Sequence, residues 1–367
     1  MKVVMAPDSF KGSMPAAGAA ASLAAGWQAA RPADEVVMIP LADGGEGTLD
    51  VLAAAVPAAR WHQARVTGPA GPPVDCLWLQ LPDGTAAVEL ARASGLPLLT
   101  RLDPLGAHTT GLGQVIGCAL DAGARQVTVA LGGSASTDGG SGALAALGAR
   151  FLDAAGHPLP AGGGALARLA AVDLAGLRPA PPGGVSCLSD VRAPLLGPAG
   201  AAAVFGPQKG ASPAQIARLD DGLARLAGLL GGDPAAPGAG AAGGTGYGLA
   251  AGWGAVIAPG APQLARLAGL GPALAGAGLV ITGEGCYDQT SGSGKVAGAV
   301  FAAAAVAGVP AALVAGQVTE RPPAAVRHVI ALAGLAGGVP QALADPGRYL
   351  RLAGQQLARL AGRDPAG

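Results

Sequence analysis

One order of segments recurs along this chain: a short apolar run, then a loop that combines glycine with an acid, then an alanine-rich segment. The apolar runs at residues 2–5, 36–39, 127–131 and 279–282 are rich in β-branched side chains, which is typical of buried strands. The alanine-rich segments favour helices because alanine has the highest helix propensity. Strands that alternate with helices predict an α/β fold built on a mostly parallel sheet.

Acids follow four of these predicted strands. The carboxyl ends of parallel strands meet at one edge of a sheet, where α/β proteins bind their ligands. Four independent coincidences are improbable, so we interpret the acids as parts of a functional site: Asp8, Asp43 with Glu46, Asp138, and Glu284 with Asp288. The pair Asp43 and Glu46 could hold Mg²⁺ or orient a hydroxyl; alternatively, both acids complement the dipole of the helix that follows.

Residues 126–143 contain the richest of these loops. The strand runs into Gly132 and Gly133, which allow a ligand to approach the backbone, and Ser134, Asp138 and Gly139 follow before the next helix. Free N–H groups at a helix start bind anions, so this stretch predicts a phosphate cradle. The alternative is an ordinary turn between a strand and a helix.

Lysine is rare, since only four of the 23 basic residues are lysines. Three of the four, Lys11, Lys209 and Lys295, adjoin glycine. The ammonium of lysine is a compact point charge, and the planar guanidinium of arginine is not equivalent to it as a phosphate ligand. Acids, lysines and glycine loops together indicate a metal-bridged polyphosphate and hence phosphoryl transfer.

The length of 367 residues predicts two domains, because a single hydrophobic core stops growing at roughly 250–300 residues. At residues 61–89, alternating side chains and a Pro-Asp-Gly turn predict antiparallel hairpins outside the parallel sheet. The glycine-rich residues 231–248 predict a linker or an active-site loop. We therefore expect a Rossmann-like, mostly parallel domain flanked by helices, with a second α/β domain of mixed or antiparallel strands inserted into it. The first comprises residues 1–60, 105–140 and 245–367, and the second comprises residues 61–104 and 141–244.

Composition narrows the class of protein. The formal charge is zero and no basic stripe is present, which argues against nucleic acid as a partner. The four cysteines are scattered and form no CxxC pair, so neither a zinc site nor a disulfide framework is indicated. The absence of a long uninterrupted apolar run and of a signal-like N-terminus predicts a cytoplasmic enzyme of small molecules, without a membrane partner, as a monomer or homodimer.

Two other functions are compatible with such a sheet: a nicotinamide-dependent oxidoreductase and a sugar-phosphate-binding regulator. A dinucleotide-binding fold needs GxGxxG after its first strand, where this chain has APDSFKGS. The segment GSGKV resembles the end of a Walker A motif, but Gln289 occupies the first glycine position and no Ser or Thr follows Lys295. A binding module would not need so many acids converging with lysines.

Five motifs, in order, resemble those of the bacterial type I glycerate kinase family: MKVVMAPDSFKGS, PLADGGEGT, GGSASTDGGSG, FGPQKGAS, and ITGEG with the downstream Lys295. The resemblance spans nearly the whole chain. It implies phosphorylation of glycerate by ATP with Mg²⁺, usually at the 2-hydroxyl. It also implies two α/β domains with an active-site cleft between them.

The resemblance also implies roles for individual residues. Asp190 or Asp43 would accept the proton of the glycerate hydroxyl, with Lys11 and Lys295 as further catalytic residues. The remaining expected contacts are as follows: Asp8, Ser9, Lys11, Glu46 and Lys209 with the substrate; Gly132, Gly133, Ser134, Asp138, Gly139, Gly283 and Gly285 with ATP; Glu284 and Asp288 with Mg²⁺. Gln114, Thr137 and Arg192 depart from the family pattern.

Overall fold

The computed structural model describes residues 1–10, 12–45, 47–289, 291 and 295–362. The chain divides into two compact units. The first unit is Met1–Asp43, Asp50–Pro57 and Pro259–Gly367, and the second is Gly44–Leu49 and Ala58–Ala258. Each unit contains its own sheet and helices, so the predicted α/β class is confirmed.

In the part of the chain that is described, the strands are β1 (Lys2–Met5), β2 (Glu35–Met38), β3 (Arg60–Thr67), β4 (Pro73–Gln80), β5 (Thr85–Glu89), β6 (Gln126–Ala130), β7 (Arg150–Leu152), β8 (Ala171–Asp173), β9 (Val185–Leu188), β10 (Val256–Ala258), β11 (Leu279–Tyr287), β12 (Ala311–Val318) and β13 (Val326–Ala331).

Over the same residues, the helices are α1 (Ala16–Ala30), α2 (Thr48–Ala55), α3 (Leu90–Ser94), α4 (Thr110–Asp121), α5 (Ser141–Ala146), α6 (Ala201–Phe205), α7 (Pro213–Leu230), α8 (Ala241–Trp253), α9 (Gly260–Leu267), α10 (Leu270–Leu274), α11 (Val296–Ala307), α12 (Leu332–Ala336), α13 (Val339–Ala344) and α14 (Pro346–Ala361). None of these described helices is long and apolar enough to cross a lipid bilayer.

The first unit is a three-layer structure around a parallel sheet with the strand order β13-β12-β11-β1-β2. Side chains alternate between the two faces of each strand. Val3 and Met5 of β1 pack with α1 and α14 on one face, whereas Val4 packs with α9 and α11 on the other. From β1 the chain continues to β2 on one side, and from β11 it continues to β12 on the other. The topological switch point of this sheet therefore lies between β1 and β11.

Helices α1 and α14 approach each other closely in the first unit. A Cβ atom added at Gly26 would lie 2.0 Å from the carbonyl oxygen of Arg351, and one added at Gly354 would lie 2.3 Å from that of Leu23. The two helices can pack at this distance because both positions lack a side chain. The contact holds α14 against the first unit, and with it the two preceding helices, α12 and α13.

The second unit contains a mixed sheet with the strand order β10-β9-β6-β5-β4-β3. Strands β10, β9, β6 and β5 are parallel, and β4 and β3 form the predicted antiparallel hairpins. Residues 105–140 and 245–258, which we predicted in the first domain, lie in this unit. The reason is the pairing of β6 with β5 and β9, which a local apolar pattern does not specify.

Residues 231–248 differ from the linker or active-site loop that the sequence predicts. The first eight residues of α8, Ala241–Gly248, fall within them, and Thr245 and Tyr247 are buried. The carbonyl of Gly243 accepts a hydrogen bond from the N–H of Gly139 at 3.0 Å. The segment is therefore packed against the 132–140 turn as part of the core of the second unit.

The close contact of α1 with α14 gives a stability prediction. We expect Gly26→Ala to lower the free energy of unfolding by about 1–3 kcal/mol, because the added methyl group meets backbone atoms that cannot move aside. The measurement is equilibrium unfolding in urea. Gly334→Ala is the control, since a Cβ at that exposed helical position of the first unit meets no atom within 4 Å. Equal stability of Gly26→Ala and the wild type would contradict the proposed packing.

Candidate functional site

A pocket of about 390 Å³ lies at the carboxyl ends of β1, β11 and β12 in the first unit. It is therefore at the switch point of the sheet, where open α/β sheets bind ligands. One wall is polar and is formed by Asp8, Ser9, Asp43, Glu284, Asp288 and Lys295. Six of the predicted catalytic, substrate and metal residues of the first unit thus share one cavity.

Backbone pairing continues beyond β1 and positions the first acids. The N–H groups of Ala6 and Asp8 donate to the carbonyls of Ile281 and Gly283 at 2.7 and 2.8 Å. Asp8 is buried, and one of its carboxylate oxygens accepts the N–H of Ser9 at 2.6 Å. The carbonyl of Pro7 accepts the N–H of Leu41 at 2.9 Å, which holds the segment leading to Asp43 beside the same strand end.

Strand β11 carries the next group of residues into the pocket. Glu284 is only 7% exposed and Asp288 follows the strand directly. Gly285 lines the pocket, whereas Gly283 packs against β12, where an added Cβ would lie 2.2 Å from the carbonyl oxygen of Val314. Gly283 therefore serves strand packing at this position, and Gly285 is the glycine that faces the cavity.

Lys295 is the N-cap residue of α11. Its ammonium lies 3.9 Å from the carboxylate of Asp288, and both side chains are partly exposed. An exposed pair at this distance contributes little to stability. The positive end of the helix dipole and the ammonium together favour an anion at this end of the pocket.

The described part of the pocket contains no preformed metal cage. Among the residues that the structure describes, no three His, Cys, Asp or Glu side chains are grouped so that they could hold a metal ion. Mg²⁺ is usually bound by one or two carboxylates, with waters and substrate phosphates as the other ligands. The acids on β11 and after it suit this mode of binding.

In the second unit, Asp138 is completely buried and connects two helix starts. One carboxylate oxygen accepts the N–H and the hydroxyl of Thr109, both at 2.8 Å, and the N–H of Gly142 at 3.2 Å. The other oxygen accepts the N–H of Gly140 at 3.2 Å. The hydroxyl of Thr109 in turn accepts the N–H of Ala143 at 2.9 Å. The N–H groups of Gly140, Gly142 and Ala143 at the start of α5 are thus already bonded within the second unit. The phosphate cradle that the sequence indicates at the 132–140 loop stays a prediction.

The glycines of this turn also serve packing. Gly132 lies against Gly45, where an added Cβ would be 2.5 Å from the Cα atom, and its N–H donates to the carbonyl of Gly44 at 3.2 Å. A Cβ atom added at Gly139 would lie 2.4 Å from the side chain of Leu226 in α7, so this position faces the core of the second unit. Gly133 takes the left-handed conformation, with φ at 74°.

Lys209 is buried beside this turn and donates a hydrogen bond to the carbonyl of Ser136. Burial lowers the pKa of Lys209 to about 8, and the nearby Asp138 carboxylate partly opposes this shift. The ammonium is therefore present at neutral pH. The hydroxyl of Ser134 lies 3.2 Å from the carbonyl of Ser136 and 3.3 Å from its hydroxyl. Lys209 and Ser134 thus meet at one carbonyl group.

Glu89 is a positioning residue that the sequence did not reveal. One of its carboxylate oxygens accepts the N–H of Leu49 at 2.9 Å, and the other accepts Nε of Arg92 at 2.6 Å. The Arg92 guanidinium also lies over the Trp61 ring, 5.4 Å from its centroid. This network holds the start of α2 at Leu49. The local sequence does not reveal this role, because it does not show that all five β5 residues are buried.

The remaining predicted residues do not line the described part of the first-unit pocket. Asp190 is exposed after β9 and belongs to the second unit, whereas Asp43 belongs to the first. Lys11 and Glu46 lie outside the described residues. Gln114, which departs from the family pattern, accepts the N–H of Thr67 at 2.7 Å and so has a structural contact.

The hydrogen bonds that the buried Asp138 carboxylate accepts predict a structural role for this residue. We expect Asp138→Asn to lower the free energy of unfolding by about 3 kcal/mol, because an amide nitrogen would face backbone donors and the Lys209 ammonium would lose its counter-charge. Urea unfolding measures this loss. Asp121→Asn, which removes one partner of the exposed ion pair with Arg178, is the control and should change stability by less than about 0.5 kcal/mol. Unchanged stability of Asp138→Asn with weakened ATP binding would instead make Asp138 a ligand contact.

Known proteins resemble this chain over most of its length. A family model for the glycerate kinase family matches residues 3–362. The glycerate 2-kinase of Escherichia coli K12 is 41% identical over 87% of this chain and 86% of that protein. The glycerate kinase of Bacillus subtilis 168 is 40% identical over 90% of this chain and 88% of that protein.

A solved structure agrees with these relatives. The crystal structure of a candidate glycerate kinase 2 from Salmonella typhimurium LT2 matches with a TM-score of 0.87 and 37% identity, over 100% of both chains. The residues alone left open a nicotinamide-dependent oxidoreductase and a sugar-phosphate-binding regulator. These three similar proteins carry neither description, since each is named as a glycerate kinase. The chain belongs to the glycerate kinase family and is a kinase.

Proposed function

We propose that the protein transfers the γ-phosphoryl group of ATP to the 2-hydroxyl of glycerate, giving 2-phosphoglycerate, with Mg²⁺ assistance. The observation that carries this proposal is the polar wall of the first-unit pocket, where four carboxylates and Lys295 converge at the switch point of the sheet. The name of the Escherichia coli relative, glycerate 2-kinase, supports the choice of hydroxyl.

The charges of this wall suit phosphoryl transfer. The transferring group carries negative charge on its equatorial oxygens, and catalysis consists mainly of positioning the reactants and neutralising that charge. Lys295 and the amino end of α11 supply fixed positive charge at one place. Asp8 is held by backbone hydrogen bonds, so one of the acids of this wall is also fixed before ligands bind.

Glu284 and Asp288 are the residues that would hold Mg²⁺. Both present hard carboxylate oxygens to the cavity, and one or two such ligands are sufficient when phosphate oxygens complete the coordination. When bound, the ion would neutralise charge on the β- and γ-phosphates. Lys295 would bind the transferring phosphoryl group and hold it in line with the substrate hydroxyl.

Asp43 is our first choice for the general base. It lies in the same pocket as Lys295 and the proposed metal ligands, so its carboxylate can accept the proton of the glycerate hydroxyl close to the phosphoryl group. Asp190 of the second unit is the alternative base. For the substrate, the contacts with Asp8, Ser9, Lys11, Glu46 and Lys209 remain sequence-based proposals, of which Asp8 and Ser9 line the first-unit pocket.

A product assay tests the proposed reaction. We expect the purified protein to consume ATP in the presence of D-glycerate and Mg²⁺, and to lose this activity when EDTA removes the metal. Adding enolase without phosphoglycerate mutase identifies the product, because only 2-phosphoglycerate gives phosphoenolpyruvate directly. Product that needs the mutase would contradict transfer to the 2-hydroxyl. An absence of glycerate-dependent ATP consumption would contradict the whole proposal.

The choice of base predicts unequal effects at the two aspartates. We expect Asp43→Asn to lower kcat by roughly 10²–10⁴-fold with little change in KM, because a general base contributes about that factor. Asp190→Asn should remain within tenfold of the wild type. Asp50→Asn is the control, since this exposed residue of the first unit does not line the pocket. The reverse order of effects at Asp43 and Asp190 would assign the proton transfer to Asp190.

A further inference from the structure

The first-unit pocket has a second wall that glycerate chemistry does not explain. This apolar wall is formed by Leu332, Val339, Ala342, Leu343 and Pro346, which come from α12, α13 and the start of α14. The wall carries no charged side chain. Glycerate offers a carboxylate and two hydroxyls on three carbons, so it has no apolar surface that would match this wall.

The size of the cavity leads to the same conclusion. At about 390 Å³ it falls within the range of roughly 300–1,000 Å³ that is typical of pockets for drug-sized ligands. A three-carbon acid would leave much of it filled with water. A ligand with one polyanionic end and one neutral, flat end would satisfy both walls.

We infer that the apolar wall is the nucleobase subsite of the proposed ATP site. The adenine ring packs against Leu343 and Val339, and the triphosphate extends to the polar wall at Lys295. This inference rests on the proposed function, because it locates the phosphoryl donor of that reaction. It also locates the base on the first unit, whereas the sequence assigned nucleotide contacts to the 132–140 turn of the second unit as well.

Two further features of the wall support this occupant. Leu343 is 55% exposed, so a large apolar side chain lines the cavity without being covered by the rest of the unit. Burying its free surface under a ring is favourable at about 25 cal/mol per Å². Gly316 and Gln317 of β12 also line the pocket, and the exposed Gln317 amide provides both a donor and an acceptor for the polar edge of a base.

The test compares nucleotide and polyphosphate binding by calorimetry. The probes are the non-hydrolysable analogue adenylyl imidodiphosphate and inorganic tripolyphosphate, each with Mg²⁺. We expect Leu343→Asp to raise the Kd for the analogue at least tenfold and to leave the Kd for tripolyphosphate and the KM for glycerate unchanged. Leu343→Ala should weaken the analogue several-fold without introducing a charge.

Leu352→Asp is the matched control. Leu352 is an exposed leucine on α14 that does not line the pocket, so this variant should bind both probes as the wild type does. The inference is overturned if Leu343→Asp keeps the wild-type affinity for the analogue, or if it loses both probes equally. It is also overturned if the variant changes only the KM for glycerate.

Failure of this inference is distinguishable from failure of the proposed function. Glycerate phosphorylation by the wild type, together with unchanged analogue binding by Leu343→Asp, would overturn the nucleobase subsite alone. Weakened analogue binding by Leu343→Asp, in a wild-type protein that does not phosphorylate glycerate, would support the subsite and overturn the proposed substrate.

Discussion

The parallel pairing of β1 with β11 is the constraint on which the candidate site depends. These neighbours are distant in sequence, with Val3 opposite Leu279 and Met5 opposite Ile281. Hydrogen bonds from Ala6 and Asp8 to β11 extend the pairing beyond β1, so the two loops that carry acids leave the sheet side by side. Because the chain continues in opposite directions from these strands, no crossover connection covers the space between their ends. The pocket is a direct consequence of this topology.

The two units use buried charge in different ways. In the second unit, the carboxylate of Asp138 accepts donors from Thr109, Gly140 and Gly142, and the Lys209 ammonium donates to a backbone carbonyl beside it. Buried charges compensated in this way fix the conformation of a turn. In the first unit, Lys295 and Asp288 are partly exposed and 3.9 Å apart. Either side chain can therefore leave the other and bind a ligand at little cost in free energy. Glycine loops with acids thus have a structural use in one unit and a proposed catalytic use in the other.

The sequence predicted the local features and missed the distant ones. The order of strand, glycine–acid loop and helix was sufficient to select Asp8, Asp43, Glu284, Asp288 and Lys295, which the structure places in one pocket. The same order could not place β6, because pairing with β5 and β9 depends on contacts far apart in the chain. It could not show that the Asp138 oxygens are already bonded or that Glu89 accepts the N–H of Leu49 at the start of α2. The apolar wall was also hidden, since the approach of α12 and α13 to the end of β12 depends on tertiary packing that a local pattern does not specify.

The central claim is that the nucleotide binds at the switch point of the first unit. Hydrogen exchange measured by mass spectrometry, with and without adenylyl imidodiphosphate and Mg²⁺, tests it in the intact protein. The account predicts slower exchange at the end of β11 (residues 282–289), at the end of β12 and in α13, with little change at residues 126–143. Protection confined to residues 126–143, with none at the ends of β11 and β12, would contradict it.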